Sequence, residues 1–158
     1  MSKTRRKKGP VVAKKVTYNG VTFASGLEKY MFIALTEAGI EFKYEGQTFE
    51  LVPAFTFINS CIERQSNSKG DFINRGNKKV LNLKYTPDFI GEDFIIETKG
   101  RANESFPLRW KLFKKWLHDN NDERTLYKPQ KMSECDETIR LILLERKQKQ
   151  GKNTLSDK

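Results

Sequence analysis

The sequence predicts an α/β fold, a mixed central β-sheet flanked by helices. Short alternating or β-branched runs recur at 16–23, 40–45, 49–52, 85–96 and 124–127. Segments 25–38, 107–118 and 133–147 carry apolar residues at helical spacing. At 158 residues the chain has the length of one domain with a substantial core.

Residues 1–13 contain Lys3, Arg5, Arg6, Lys7 and Lys8 and no acidic residue. They read as a disordered basic arm, either tracking nucleic-acid phosphates or solvated without consequence. Residues 14–148 read as a single folded domain, and 149–158 as a frayed, disordered tail. Asn19-Gly20 between alternating arms signals a type I′ hairpin. Leu27, Tyr30, Met31, Ala34, Leu35 and Ala38 then mark the buried face of a first helix, stopped by Gly39. Ser25-Gly26-Leu27-Glu28 has the form of a capping box, in which Glu28 would accept a bond from the Ser25 amide. A glutamine there would keep most of that capping. Ile40, Phe42 and Tyr44 alternate with charged residues as a half-buried strand, and Phe49–Val52 reads as another.

Residues 59–79 turn polar and turn-rich. They form either a substrate-contacting loop presenting Arg64, Lys69, Arg75, Lys78 and Lys79 or a tolerated surface insertion. The helix at 107–118 has Trp110, Phe113, Trp116 and Leu117 as its apolar stripe. Arg109, Lys111, Lys114 and Lys115 cover the rest and could grip a DNA backbone or simply solubilise the helix. His118 reads as a capping residue. The last helix has Glu134, Asp136 and Glu137 at its start and Arg146 and Lys147 at its end, as the helix dipole favours. Its Ile139, Ile142 and Leu143 could pack on the core or on a partner subunit.

The net charge of +10 and a pI near 9.6 point to a polyanionic partner. Cys61 and Cys135 with the single His118 make neither a disulfide framework nor a zinc site, which fits a reducing cytoplasm. No apolar run is long enough for a membrane span, and the first residues lack the apolar core of a signal peptide.

The stretch from Tyr85 to Gly100 carries the chemistry. Tyr85, Phe89 and Ile90 make one arm, Gly91-Glu92-Asp93 a turn, and Phe94-Ile95-Ile96 a second arm. Asp88 follows a proline, and Glu97 and Lys99 are two apart, on one face of a strand. Hard carboxylate oxygens suit Mg²⁺ or Mn²⁺, and a neighbouring lysine can orient water or stabilise phosphoryl charge. A surface hairpin with a cross-strand Glu/Lys pair is the plainer reading. Two carboxylates brought close together would raise the pKa of at least one.

Pro87-Asp88 with Glu97-Thr98-Lys99 resembles the signature of the PD-(D/E)XK nuclease superfamily. The closer resemblance is to phage endonuclease I type Holliday-junction resolvases and related small phage nuclease-like proteins. It spans about residues 14 to 117. The matching pieces are Phe23-Ala24-Ser25-Gly26-Leu27-Glu28, Gly39 through Glu45, and Tyr85 through Gly100. It implies a PD-(D/E)XK restriction-endonuclease-like core, with the first helix on one face and the Trp110 helix beside it. It also implies one or two Mg²⁺ or Mn²⁺ ions held by Asp88, Glu97, the carbonyl of Thr98 and Glu28. Lys99 would position the attacking water.

The function so implied is a Mg²⁺-dependent DNA endonuclease selective for branched DNA, acting as a homodimer because a junction is cut on two strands. A nicking or sequence-specific endonuclease of the same superfamily, or a non-cleaving nucleic-acid-binding accessory protein, remains open.

Overall fold

The structure, a computed structural model, describes residues 14–100, 103 and 105–156, the last four through their backbone only. The basic arm expected at 1–13 lies outside the described residues.

In chain order, β1 (Val16–Tyr18), β2 (Val21–Phe23), α1 (Gly26–Glu37), β3 (Lys43–Tyr44) and β4 (Phe49–Val52) come first. β5 (Phe55–Phe57), β6 (Ile62–Glu63), β7 (Ile73–Asn74), β8 (Lys78–Val80) and β9 (Leu83–Tyr85) follow. The chain continues with β10 (Phe89–Ile90), β11 (Phe94–Ile96), α2 (Phe106–Asp119), β12 (Thr125–Tyr127) and α3 (Met132–Ser156). The fold is mixed α/β, with several small sheets and three helices among the described residues. No described helix is long and apolar enough to cross a membrane.

The chain divides into two compact units. Gln47–Pro87 and Asn103–Glu123 form one, and the remaining described residues the other.

The unit that holds both ends of the described chain is built on a four-stranded sheet in the order β12-β11-β10-β3. β11 runs parallel to β12 and antiparallel to β10, so the sheet is mixed. Phe89, Phe94, Ile96 and Tyr127 pack into one cluster with Met31 and Leu35 of α1 and Cys135 and Ile142 of α3. The helix beside α1 is therefore α3. The Trp110 helix α2, expected in that place, belongs to the other unit. Ser25 caps α1 by accepting from the Glu28 amide, and Gly39 ends the helix in the left-handed conformation (φ 65°) that favours glycine. The hairpin β1–β2 turns at Asn19 and Gly20, both at positive φ, as the Asn-Gly pair predicts. The strand read at 40–45 shrinks to β3, because Ile40 is spent closing the end of α1 through its amide bond to Leu35. α3 runs on to Ser156, nine residues past the expected end at 147 and through most of the expected tail.

In the other unit, β4 and β9 pair antiparallel, and Phe49 and Tyr85 face each other across them. Both rings pack on α2: Phe49 lies 4.9 Å from Phe113 and 4.9 Å from Trp116, and Tyr85 4.7 Å from Phe113. Ser105 stands at the N-cap of α2 without a side-chain cap bond, and the Asn103 side-chain oxygen accepts from the Phe106 amide at 2.9 Å. Beyond β4 and β9 the same two chain segments keep pairing, β5 with β8 and β6 with β7. The region expected as a loop at 59–79 is thus the outer part of one antiparallel ribbon. Gly76 is required there: a Cβ would lie 1.9 Å from the Asn59 carbonyl oxygen.

Arg146 of α3 grips Asp93 in the turn between β10 and β11 with two bonds, at 2.7 and 3.0 Å. The guanidinium holds the Asp93 carboxyl below its usual range. A depressed folded-state pKa means the stabilisation is complete above about pH 4 and is lost as pH falls through the folded value. Asp93→Asn should cost about 1–2 kcal/mol at neutral pH. Urea unfolding at neutral pH and near pH 3 checks this: the gap between variant and wild type should narrow on acidification, and a constant gap would refute the pairing as its source.

Candidate functional site

The site begins with β11. Phe94, Ile95 and Ile96 are buried, so this strand is fixed from both neighbours. Its parallel bonding to the β12 segment continues past the strand end, with the Glu97 amide donating to the Tyr127 carbonyl (3.0 Å) and the Lys99 amide to the Pro129 carbonyl (2.9 Å). Residues 97–99 are thereby held extended, with Glu97 and Lys99 on one face. On the other side Phe89 pairs with Ile96. One further step of that register sets Asp88 across from Glu97. The side chains of an opposed pair share a face, so the two carboxylates are neighbours.

Thr98 ties the pair down. Its amide (2.7 Å) and its hydroxyl (2.6 Å) both donate to Oδ2 of Asp88. Glu97 is only 5% exposed, and its Oε1 lies 3.5 Å from Lys99 Nζ. Burial pushes the Asp88 carboxyl up, the charges of Glu97 and Glu28 push it further, and the Thr98 bonds pull it partly back, to about 7. Burial is the largest of these causes and the charge of Glu97 the next.

Glu28, in the first turn of α1, is also buried. Its carboxylate accepts from the Ala24 amide (2.9 Å), the Ser25 hydroxyl (3.0 Å) and the Tyr44 hydroxyl (2.9 Å). The capping box is real but shifted: Glu28 bonds the amide of Ala24 rather than that of Ser25. Burial, then the bond to Glu28, raises the Tyr44 hydroxyl pKa, so it stays a proton donor. Both oxygens of Glu28 are engaged, and its reach to Asp88 is electrostatic.

Among the described residues no group of three or more His, Cys, Asp or Glu side chains is placed to hold a metal ion. The donor set that Asp88 and Glu97 provide is all oxygen. It matches what Mg²⁺ takes from a protein, one or two carboxylates with the remaining positions left to water and phosphate.

Of the residues read as binding DNA, Lys3, Arg5, Arg6, Lys7 and Lys8 lie outside the described residues. Arg109, Lys111, Lys114 and Lys115 are exposed on α2. Lys115 pairs with Asp119, and Lys114 lies over the Trp110 ring at 5.7 Å.

Residues 7–134 match a family described only as a protein of unknown function, DUF1064. The chain belongs to that family. No curated protein and no solved structure matches it.

Two contributors escape the reading of the sequence. Alternation with Ile40 and Phe42 marks Tyr44 as core, although a buried tyrosine hydroxyl needs a partner, and that need is the available signal. The resemblance assigns Thr98 through its carbonyl, whereas its amide and hydroxyl make the contacts to Asp88.

The bonds to Glu28 change what a glutamine should do. In the Glu28→Gln variant an NH₂ would replace one of the two oxygens, facing either the Ser25 hydroxyl or the Ala24 amide and Tyr44 hydroxyl, and leaving at least one donor without its acceptor. Glu28→Gln should therefore lower stability by about 1–3 kcal/mol, against the near-neutral change that capping alone implies. Tyr44→Phe should cost about 1 kcal/mol. Chemical denaturation of both variants decides this, and a Glu28→Gln protein as stable as wild type would refute the arrangement.

Proposed function

We propose that this chain is a metal-dependent DNA endonuclease with a PD-(D/E)XK-type core, selective for branched DNA and working as a homodimer. The observation that carries the reading is the Asp88–Glu97 pair, set face to face by register and partly buried, with Lys99 beside it. The mixed four-stranded sheet and its covering helices support the same reading. So does the +10 charge, which a polyanionic substrate would complement.

Asp88 and Glu97 would hold a Mg²⁺ or Mn²⁺ ion, with the Thr98 carbonyl as the further oxygen. Such an ion, when bound, supplies Lewis-acid stabilisation of phosphoryl charge and a more acidic water. The chain's own residues do the rest. Thr98 fixes the Asp88 carboxylate, so one of its oxygens is committed and the other is aimed. Lys99 stands where its ammonium can orient a water and neutralise charge developing on a phosphoryl oxygen. Glu28 adds negative potential at Asp88 and is itself held by Ser25 and Tyr44.

The fully bonded state of Glu28 favours a second reading, a nucleic-acid-binding protein that does not cleave. One experiment separates them. Wild-type protein with Mg²⁺ should nick supercoiled plasmid and cut labelled four-way junctions faster than linear duplex. Asp88→Asn should abolish cutting and keep binding. Lys99→Ala should lower the rate on the order of 10²–10³-fold with metal affinity little changed. A wild-type protein that binds DNA but cuts none of these substrates with Mg²⁺ or Mn²⁺ would leave the second reading standing. Cutting that prefers linear duplex would instead point to a nicking or sequence-specific enzyme.

A further inference from the structure

The outer ribbon carries apolar side chains that nothing in its own unit covers. Phe55 is 48% exposed, Ile58 78%, Ile62 51%, Phe72 66% and Leu81 76%. At roughly 100 Å² for each half-exposed aromatic ring, these side chains together leave several hundred Å² of apolar surface in water.

The ribbon is nonetheless built rather than loose. The Arg75 guanidinium crosses it, donating to the Glu63 and Asp71 carbonyls (3.2 and 3.4 Å), and Arg64 donates to the Gly70 carbonyl (3.2 Å). The Asn74 side-chain oxygen accepts from the amides of Cys61 and Gly76. The tip closes through Gln65, Asn67 and Lys69.

Charge decides what the surface fits. Residues 55–80 hold Arg64, Lys69, Arg75, Lys78 and Lys79 against Glu63 and Asp71, a net +3. Lys69, Lys78 and Lys79 are exposed, and none of them is ion-paired among the described residues. Register puts Phe57 opposite Lys78 and Phe55 opposite Val80, so rings and cation share one face, while Lys79 lies on the other. A second copy docked here by two-fold symmetry would bring one surface of net +3 against another of the same sign. A DNA groove offers phosphates on both sides and bases at its floor. It admits a two-stranded ribbon, and exposed Phe or Ile side chains can wedge between base steps.

We propose that the ribbon from Phe55 to Val80 is a DNA-binding arm that enters a groove, with Lys69, Lys78 and Lys79 on phosphates and Phe72 against the bases. This rests on the reading of DNA as substrate, and it assigns to this element the hold on DNA outside the cleavage site.

The test is binding of the full chain to labelled duplex and four-way junction in EDTA, where no cutting occurs, as a function of salt. Lys69→Ala/Lys78→Ala/Lys79→Ala should flatten the slope of log K against log salt by about 2–3 units. Phe72→Ala should weaken binding about tenfold and leave that slope unchanged. Melting curves of both variants should overlay wild type, since the altered side chains are exposed. Unchanged binding by both variants would overturn the arm. So would a shift in oligomeric state by analytical ultracentrifugation with DNA binding intact, which would make the surface an interface between copies. Plasmid nicking in Mg²⁺ is read separately: cutting by wild type with unaltered variant binding sinks the arm alone. Altered variant binding without any cutting sinks the cleavage reading alone. A wild type that fails to bind DNA overturns both.

Discussion

Asp88 stays in place because Thr98 gives one of its oxygens two hydrogen bonds. A carboxylate carried into a partly buried position loses its water, and only donors fixed nearby can replace it. Those donors are fixed because β11 is locked between β10 and β12, and its bonding to the β12 segment runs on through Glu97 and Lys99. The strand in turn is held by the cluster it makes with α1 and α3. Each level depends on the one beneath it. Disturbing the apolar contacts of Phe94 or Ile96 would move Thr98, and with it the carboxylate.

Much of that chain of causes was legible in the sequence. Pro87-Asp88, a hairpin-length gap and Glu97-x-Lys99 define a pleated geometry with period two, and the strands obey it. Asn19-Gly20 and Gly39 were readable because each meets a local backbone demand, a positive φ, that few other residues meet. The role of Glu28 was half legible. Its spacing from Ser25 announces a cap, yet the third bond, from Tyr44, comes from a residue sixteen positions away that no local pattern connects to it.

The ribbon was not legible because its cohesion is not in its hydrophobic pattern. β6 and β7 are two residues each, and the bonds that join the segments around them run through Asn74 and Arg75 to distant backbone groups. Polar residues of that kind read as loop by composition. The division into two units was hidden for a related reason: the segments of each are interleaved along the chain, so no linker or change of composition marks a boundary. The partner of α1 was misjudged likewise, since α2 and α3 both carry an apolar stripe and periodicity does not say which sheet a stripe will meet.

Two aspartates of one hairpin show what the fold does with charge when it has a choice. Asp93, in the turn, meets Arg146, and its carboxyl is held low. Asp88, five residues earlier, is buried further and meets Glu97 and the field of Glu28, and its carboxyl is pushed up to about 7. The first arrangement is what stability alone favours, a carboxylate beside a guanidinium. The second works against stability, because Glu97 and Glu28 make the charged form of Asp88 less favourable. Burial is the larger part of that cost, and the two Thr98 donors offset some of it. Burial and neighbouring like charge together, with one lysine at the edge, are what the proposed cation site rests on. This contrast, more than any resemblance of motif, is why the cleavage reading attaches to Asp88 and Glu97 and not to the acidic residues elsewhere in the chain.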